Sequence, residues 1–314
     1  MTIKKIMSIL VTTSVATFLV ASLMACSFGK APSNDTSLDS RGYASTSRLV
    51  STKWVNDNLD NKNVKIIDIR KTDIYDAGHL PGALSLSYKG LQVEAEGVKG
   101  QIPSGDQIAS MLGDLGVESD DTIIIYDHIK NLWSTRLLWT LAVYGHEDSR
   151  MMDGSFGLWE KEGKKISTET PKVKATKYSF SGQSRPELVI GIDQVLSSID
   201  DNSSLVLDTR SADEYAGRDD RDNLRHGHIP GSIHVEWKHN VDEDGKFLTA
   251  DKLRSLYGES AVTKDLDIYT LCQTAVRATH SWFVLEDLLG YDDVGVYDGS
   301  WAEWGNLPDT PIDS

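Results

Sequence analysis

The chain has 314 residues, with 32 Lys and Arg against 47 Asp and Glu, a net charge of −15 and two cysteines. That length accommodates two domains with hydrophobic cores of their own, and 39% hydrophobic with 25% charged residues is a globular balance. The acid excess argues against nucleic acid as a partner, and two cysteines, Cys26 and Cys272, exclude a disulfide scaffold or a thiolate-rich metal site.

Residues 1–25 read as a targeting segment. Lys4 and Lys5 give a basic start, Ile6 to Ala25 carries no charge, and Ala21 and Ser22 precede Leu23-Met24-Ala25-Cys26. The motif Leu-x-Ala-Cys resembles the bacterial lipobox, which implies a lipidated Cys26 and an exported protein anchored to a membrane. An uncleaved anchor is the alternative, since the run is nearly long enough to span a bilayer, but Thr12, Thr13, Ser14 and Thr17 dilute it. Residues 26–47, rich in Ser, Gly and Asp, show no apolar periodicity and read as a flexible tether. The acidic body is repelled by an anionic bilayer, so the lipid must hold it there. With Cys26 acylated, Cys272 is the remaining free thiol.

Beyond the tether, strand-like and helix-like segments alternate. Val64–Ile69, Thr122–Tyr126, Leu205–Leu207 and Leu266–Leu271 have the β-branched, apolar character of buried strands. Ser51–Leu59, Asp106–Leu115, Arg136–Tyr144 and Thr279–Leu289 are amphipathic, with Ser51 and Ser104 placed as N-caps. The alternation predicts an α/β protein with mainly parallel sheets and helices on both faces.

The chain also repeats itself. At an offset of 145, Asp120, Ile123, Gly145, Asp148, Asp153-Gly154-Ser155 and Trp159 match Asp265, Ile268, Gly290, Asp293, Asp298-Gly299-Ser300 and Trp304. Upstream, Ile67-Asp68-Ile69-Arg70 parallels Leu207-Asp208-Thr209-Arg210, and Gly78-His79-Leu80-Pro81-Gly82 parallels Gly227-His228-Ile229-Pro230-Gly231. The second copy carries nine extra residues between these motifs. Two homologous domains follow, 48–163 and 187–314, joined by an aperiodic Lys/Ser/Thr/Pro-rich linker over 164–186.

These motifs, in this order and twice over, resemble the rhodanese domain, and the chain as a whole is similar to the tandem-domain rhodaneses, which include thiosulfate and 3-mercaptopyruvate sulfurtransferases. The resemblance spans about residues 48–310 and implies two rhodanese-like domains, the N-terminal one inactive and the C-terminal one bearing the nucleophile.

The residues support that chemistry independently. Leu271-Cys272-Gln273-Thr274-Ala275-Val276-Arg277 precedes a helix expected to start near Ala278, so the thiol stands at a strand-to-helix turn. Loop N–H groups there can curl into an anion-binding nest, and the helix N-terminus adds positive potential. Both favour the thiolate, which is the nucleophile. A thiol followed by Gln, Thr and Arg is poor core material, which counts against an inert buried cysteine. The family likeness implies that Cys272 takes sulfane sulfur as a persulfide from a small anionic donor and passes it to a thiol, cyanide or a protein. Gln273, Thr274, Ala275, Val276, Arg277 and Arg221 are then the substrate-binding positions. Neither a metal constellation nor a glycine-rich nucleotide loop emerges, and no cofactor is expected.

At the same offset Cys272 maps to Asp127 and Arg277 to Leu132. A carboxylate cannot carry sulfane sulfur, so the first copy is expected to be catalytically dead. Cys-x4-Arg is the loop length of the sulfur-transferring branch, whereas related folds acting on phosphate or arsenate use Cys-x5-Arg. Ala275 replaces a usual glycine and is strained if the position needs a positive φ. Arg277 supplies a cation suited to a dianion such as thiosulfate, or alternatively pairs with a neighbouring acid. Within the insertion, Arg221 matches one of two substrate arginines of the mercaptopyruvate enzymes while Glu214 stands where the other would be, which puts thiosulfate ahead. Arg221 could equally pair with Asp219 or Asp222. His79 and His228 read as turn residues, with a reach of His79 toward Thr274 as the alternative. Asp68/Arg70 and Asp208/Arg210 read as strand-end ion pairs, and Trp159 and Trp304 as core. The rival function is a non-catalytic sulfur-carrier or interaction lipoprotein.

Overall fold

The computed structural model describes residues 35–314, so Cys26 and its lipobox lie outside the described residues. The first half runs β1 (Leu49–Ser51), α1 (Thr52–Asp57), β2 (Val64–Asp68), α2 (Thr72–Ala77), β3 (Leu84–Ser85), β4 (Val93–Ala95), β5 (Val98–Gln101), α3 (Gly105–Asp114), β6 (Thr122–Tyr126), α4 (Leu132–Tyr144), β7 (Ser149–Asp153) and α5 (Phe156–Lys161). The second runs β8 (Val189–Ile190), α6 (Ile192–Ser198), β9 (Ser204–Asp208), α7 (Ala212–Tyr215), β10 (Ile233–His234), α8 (Ala250–Gly258), β11 (Asp267–Leu271), α9 (Val276–Phe283), β12 (Val294–Tyr297) and α10 (Ser300–Trp304).

The sheets have the orders β1-β7-β6-β2-β3 and β10-β9-β11-β12-β8, which are one topology written from opposite edges. Every pairing within them is parallel, and the separate hairpin β4–β5 is antiparallel. Parallel strands need crossovers, and those crossovers cover both faces with helices. Side chains of β6 alternate accordingly: Ile123 and Ile125 enter one apolar cluster, Ile124 and Tyr126 another. The cluster holding Ile123 continues through Leu138 and Trp139 of α4 into Trp282 and Phe283 of α9, so the two domains share a core. Ser51 caps α1 through the Trp54 N–H, and Ser104 makes a capping box with Gln107.

Two segments expected from composition to be tether and linker pack against the folded domains. Residues 35–47, read as part of a flexible tether, are folded onto the second domain. Tyr43 Oη donates to the carbonyls of Phe247 and Leu248, and the Ala44 and Ser45 N–H groups donate to Leu288 and Asp287. Arg48 then pairs with Glu286 and Asp287 at 2.7 and 2.8 Å. Polar residues make this segment look like a tether, yet Tyr43, Ala44 and Ser45 hydrogen-bond to the second domain and Asp35 accepts from the Ser51 N–H of the first. The linker 164–186 also lies on the first domain: Ser167 bridges to His79, Thr176 N–H donates to Gly113, and Tyr178 is buried against His146.

The paired motifs shape each sheet end as expected. Arg70 grips Asp68, and Arg210 grips Asp208, in buried pairs that also tie down the Gly78 and Gly227 carbonyls. His79 stacks on Tyr75 at 3.8 Å and donates from Nδ1 to the Tyr75 carbonyl, while His228 stacks on Tyr215 at 3.9 Å and repeats that bond. With Nδ1 on Tyr75 and Nε2 3.2 Å from the Glu169 carbonyl, His79 is occupied within the first domain and its linker and does not reach Thr274. Trp159 and Trp304 are wholly buried.

Candidate active site

β11 ends at Leu271 and α9 begins at Val276, two residues earlier than the sequence places it, so Cys272–Ala275 form the turn between them. Cys272 is buried, and Gln273, Thr274 and Arg277 are half-buried. Ala275 has φ +60° and ψ −8°, the left-handed conformation that costs an L-residue about 1 kcal/mol or more. Ser300 Oγ lies beneath the turn, accepting from the Cys272 and Ala275 N–H groups at 3.2 and 3.1 Å and donating to the Tyr297 carbonyl. The Trp301 and Ala302 N–H groups bind the Cys272 and Gln273 carbonyls, which fixes α10 to the loop. Among the described residues, the N–H groups of Gln273, Thr274, Arg277 and Ala278 find no protein acceptor. With the N-terminus of α9, they make a locus suited to negative charge.

The first domain supplies one wall. Gln92 Nε2 donates to the Thr274 carbonyl at 2.8 Å and lies 3.3 Å from that of Gly100. Gly100 has φ +87°, and a methyl there would come within 2.5 Å of Thr274 Cβ. Buried Arg136 of α4 joins the domains by donating to Asp298 Oδ1 at 2.8 Å and to the Gly100 carbonyl, while the Ile102 N–H takes Asp298 Oδ2. The nine-residue insertion supplies the other wall. Asn223 and Gln273 exchange amide hydrogen bonds at 3.0 and 3.1 Å, and Asn306 also donates to Asn223.

Both expected cations behave differently from a simple donor clamp. Arg277 is held by Glu214 at 2.6 and 2.8 Å, so its alternative reading as a paired arginine is the observed one. Burial opposes the Arg277 charge, but Glu214 and the neighbouring Cys272 push its pKa up. Arg221 stands exposed at φ +49°, and its backbone N–H donates to Asp219. No ion pair joins its side chain to Asp219 or Asp222 among the described residues. It is Asn223, two residues further on, that reaches the loop.

The first domain contains the same turn with a carboxylate in it. Asp127 Oδ1 accepts from the Ile129 and Asn131 N–H groups at 2.7 and 3.0 Å, and Oδ2 from Trp133 and Ser134 at 2.8 and 3.0 Å. Burial pushes this carboxyl above the usual range while the four amides pull against it. The structural register also corrects the sequence offset. Asn131 and Ala275 are the left-handed residues before α4 and α9, and Thr135 and Thr279 make equivalent bonds back to Leu132 and Val276. Arg277 therefore matches Trp133 rather than Leu132, and the Asp127 loop is one residue longer. A π-turn at Val284–Leu288 takes up the extra residue, so the offset of 145 returns by Gly290.

The duplicated sheets and this paired-loop arrangement define a tandem sulfurtransferase-type fold. The Rhodanese-like domain family matches residues 51–162 and 192–307, and the chain belongs to that family. The chain is 34% identical to the sulfur carrier protein TtuD of Thermus thermophilus, covering 86% of this chain and 98% of that one. It is 33% identical to a thiosulfate sulfurtransferase of Corynebacterium glutamicum, covering 87% and 92%. The anaerobic ergothioneine biosynthesis enzyme of Chlorobium limicola shares the fold with a TM-score of 0.76 at 24% identity, over 85% of this chain and 70% of that one.

Of the site residues read from sequence, the structure gathers Cys272, Gln273, Thr274 and Ala275 into one turn and places Val276 and Arg277 in the first turn of α9 that follows it. Sequence reasoning missed Gln92, Gly100, Asn223 and the loop-binding role of Ser300. Ser300 lies in a repeated motif and could have been found there. Gln92 and Gly100 act across the domain boundary and leave no local signal.

Proposed function

We propose that the protein is a thiosulfate sulfurtransferase working through a persulfide on Cys272. The observation that carries this reading is Asp127: its carboxylate occupies the amide nest of one domain, and the matching nest of the other stands beside a thiol. Cys272 thiolate attacks the outer sulfur of thiosulfate, forming a Cys–S–S⁻ bond as the S–S bond to the sulfonate breaks and sulfite leaves with the electron pair. Cyanide, a thiolate or a protein nucleophile then attacks that outer sulfur and returns the thiolate, a ping-pong cycle. Loop amides hold the anionic sulfur, and at a Debye length of about 8 Å they outweigh the remote acidic surface.

Incubation with thiosulfate should add one sulfur to the wild type and none to Cys272→Ser, and cyanide should remove it as thiocyanate. No adduct on the wild type overturns the reading. Glu214, standing where a carboxylate-binding arginine would be, disfavours 3-mercaptopyruvate as donor. A stoichiometric sulfur carrier is the second reading, supported by the name of the Thermus relative, and it would load sulfur without turning over.

Export and lipid attachment at Cys26 are part of the same proposal and rest on the sequence motif alone. Globomycin should block processing, and Cys26→Ala should release the protein from membranes. Retention of Cys26→Ala at the membrane overturns that part.

A further inference from the structure

The Thr274–Ala275 peptide is gripped at both ends by different domains. Its carbonyl accepts from Gln92 Nε2 of the N-terminal domain at 2.8 Å and from the local Val276 N–H at 2.9 Å, and its N–H donates to Ser300 Oγ of the C-terminal domain at 3.1 Å. The same peptide sets Ala275 at φ +60°, where an alanine is strained. A half-turn of this peptide would relieve the strain by carrying φ to an ordinary negative value. It would also exchange the positions of the Thr274 oxygen and the Ala275 N–H, turning a carbonyl oxygen toward Ser300 and the backbone of Cys272. That dipole would oppose negative charge on the sulfur.

We propose that Gln92 is a positioning residue for the catalytic loop, acting with Ser300 to hold the Thr274–Ala275 peptide in its strained, anion-accepting orientation. The catalytically dead domain thereby serves the reaction of the other. Gly100 makes the contact possible, because any side chain there would displace Thr274 from beneath Gln92. Arg136, bonded to both Gly100 and Asp298, keeps the hairpin in place. Gln92 touches neither donor nor acceptor in this role. The proposal rests on Cys272 being the nucleophile.

The test measures Cys272 alkylation by iodoacetamide as a function of pH, alongside sulfur transfer from thiosulfate to cyanide, in the full-length chain. Gln92→Ala should slow alkylation at neutral pH about tenfold, leave the alkaline plateau unchanged, and lower kcat more than it raises KM. Adding Ala275→Gly removes the penalty on the positive φ and should restore most of the lost neutral-pH rate. A general loss of packing would not be rescued that way. Unchanged alkylation in Gln92→Ala, or a defect that Ala275→Gly fails to relieve in protein that still folds, overturns the proposal. If Gln92→Ala does not fold, Gln92→Glu, whose oxygens can no longer donate to the Thr274 carbonyl, must show the same neutral-pH defect, and its absence is equally fatal. Failure of the sulfurtransferase reading itself would show separately, as normal Cys272 alkylation in wild type without transfer from thiosulfate.

Discussion

Glu214 holds the Arg277 guanidinium with both carboxylate oxygens, at 2.6 and 2.8 Å, in the first turn of α9, the helix that follows the Cys272 loop. Ser211 caps α7 and bonds the same carboxylate, so the acid is fixed before it meets the arginine. Burial opposes its charge, yet Arg277 and Ser211 bring the Glu214 pKa down to about 2. A carboxyl depressed in the folded state stabilises the protein above its unfolded pKa and ceases to do so as pH falls through the folded one. This pair therefore persists until about pH 2.

Glu214→Gln leaves Arg277 charged beside the sulfur without its counter-ion. Removing one partner of a pair this buried should cost about 3 kcal/mol of stability in urea unfolding. The KM for thiosulfate should fall severalfold, because the freed guanidinium can meet a dianion. A higher KM at unchanged kcat would mean that Arg277 acts only as the partner of Glu214.

His280 of α9 joins the two domains from inside the core. Its Nε2 donates to the Lys130 carbonyl at 3.1 Å, and Nδ1 accepts from Asn240. Burial lowers its pKa to about 3, so unfolding takes up a proton between the unfolded value near 6.5 and about 3. Its stabilisation is whole above pH 6.5 and is lost as pH falls through that window. Asp153 and Asp287 have the opposite sign. Burial raises both to about 6, so each favours the folded state increasingly as pH falls below 6. His280→Gln should therefore be less stable than wild type at pH 8, and the gap should narrow steadily toward pH 4 in urea unfolding. A gap independent of pH would contradict the buried neutral imidazole.

Much of this architecture is readable from sequence because its signals are local. Ile123–Tyr126 is apolar on both faces, which only a strand covered on both sides explains, and the Asp-x-Arg and Gly-His-x-Pro-Gly motifs mark the same corner twice. What escapes is relational. The longer Asp127 loop cannot be seen by aligning the halves, since a π-turn in the second helix cancels it before Gly290. Gln92 and Thr274 meet only because two domains fold together. Residues 35–47 have the composition of a tether, and nothing local in Tyr43 or Arg48 announces that the partners lie more than two hundred positions away.

That N-terminal segment can be tested directly. Tyr43→Phe removes the hydroxyl shared by the Phe247 and Leu248 carbonyls and should cost about 1 kcal/mol. Deleting residues 35–47 should cost several times more and expose the 247–248 backbone to faster hydrogen exchange. Unchanged exchange there after the deletion would return the segment to a passive tether.

Asp127 offers a test of whether its carboxylate is what fills the amide nest of the first domain. Asp127→Ala leaves the four N–H groups that it satisfies without a partner, at a cost of about 3 kcal/mol or more. A small inorganic oxyanion can then enter the nest at the start of α4 and bind the folded state alone, stabilising it by mass action. Millimolar sulfate should raise the Tm of Asp127→Ala well beyond its effect on wild type, whose nest already holds a carboxylate. Asp127→Asn should respond little, because its amide still fills the space while presenting donors to donors. Sulfur loading of Cys272 should survive in both variants, since the two nests lie in separate turns. Equal responses to sulfate in wild type and Asp127→Ala would show that the carboxylate is a loop brace and that the nest has no capacity for an external anion.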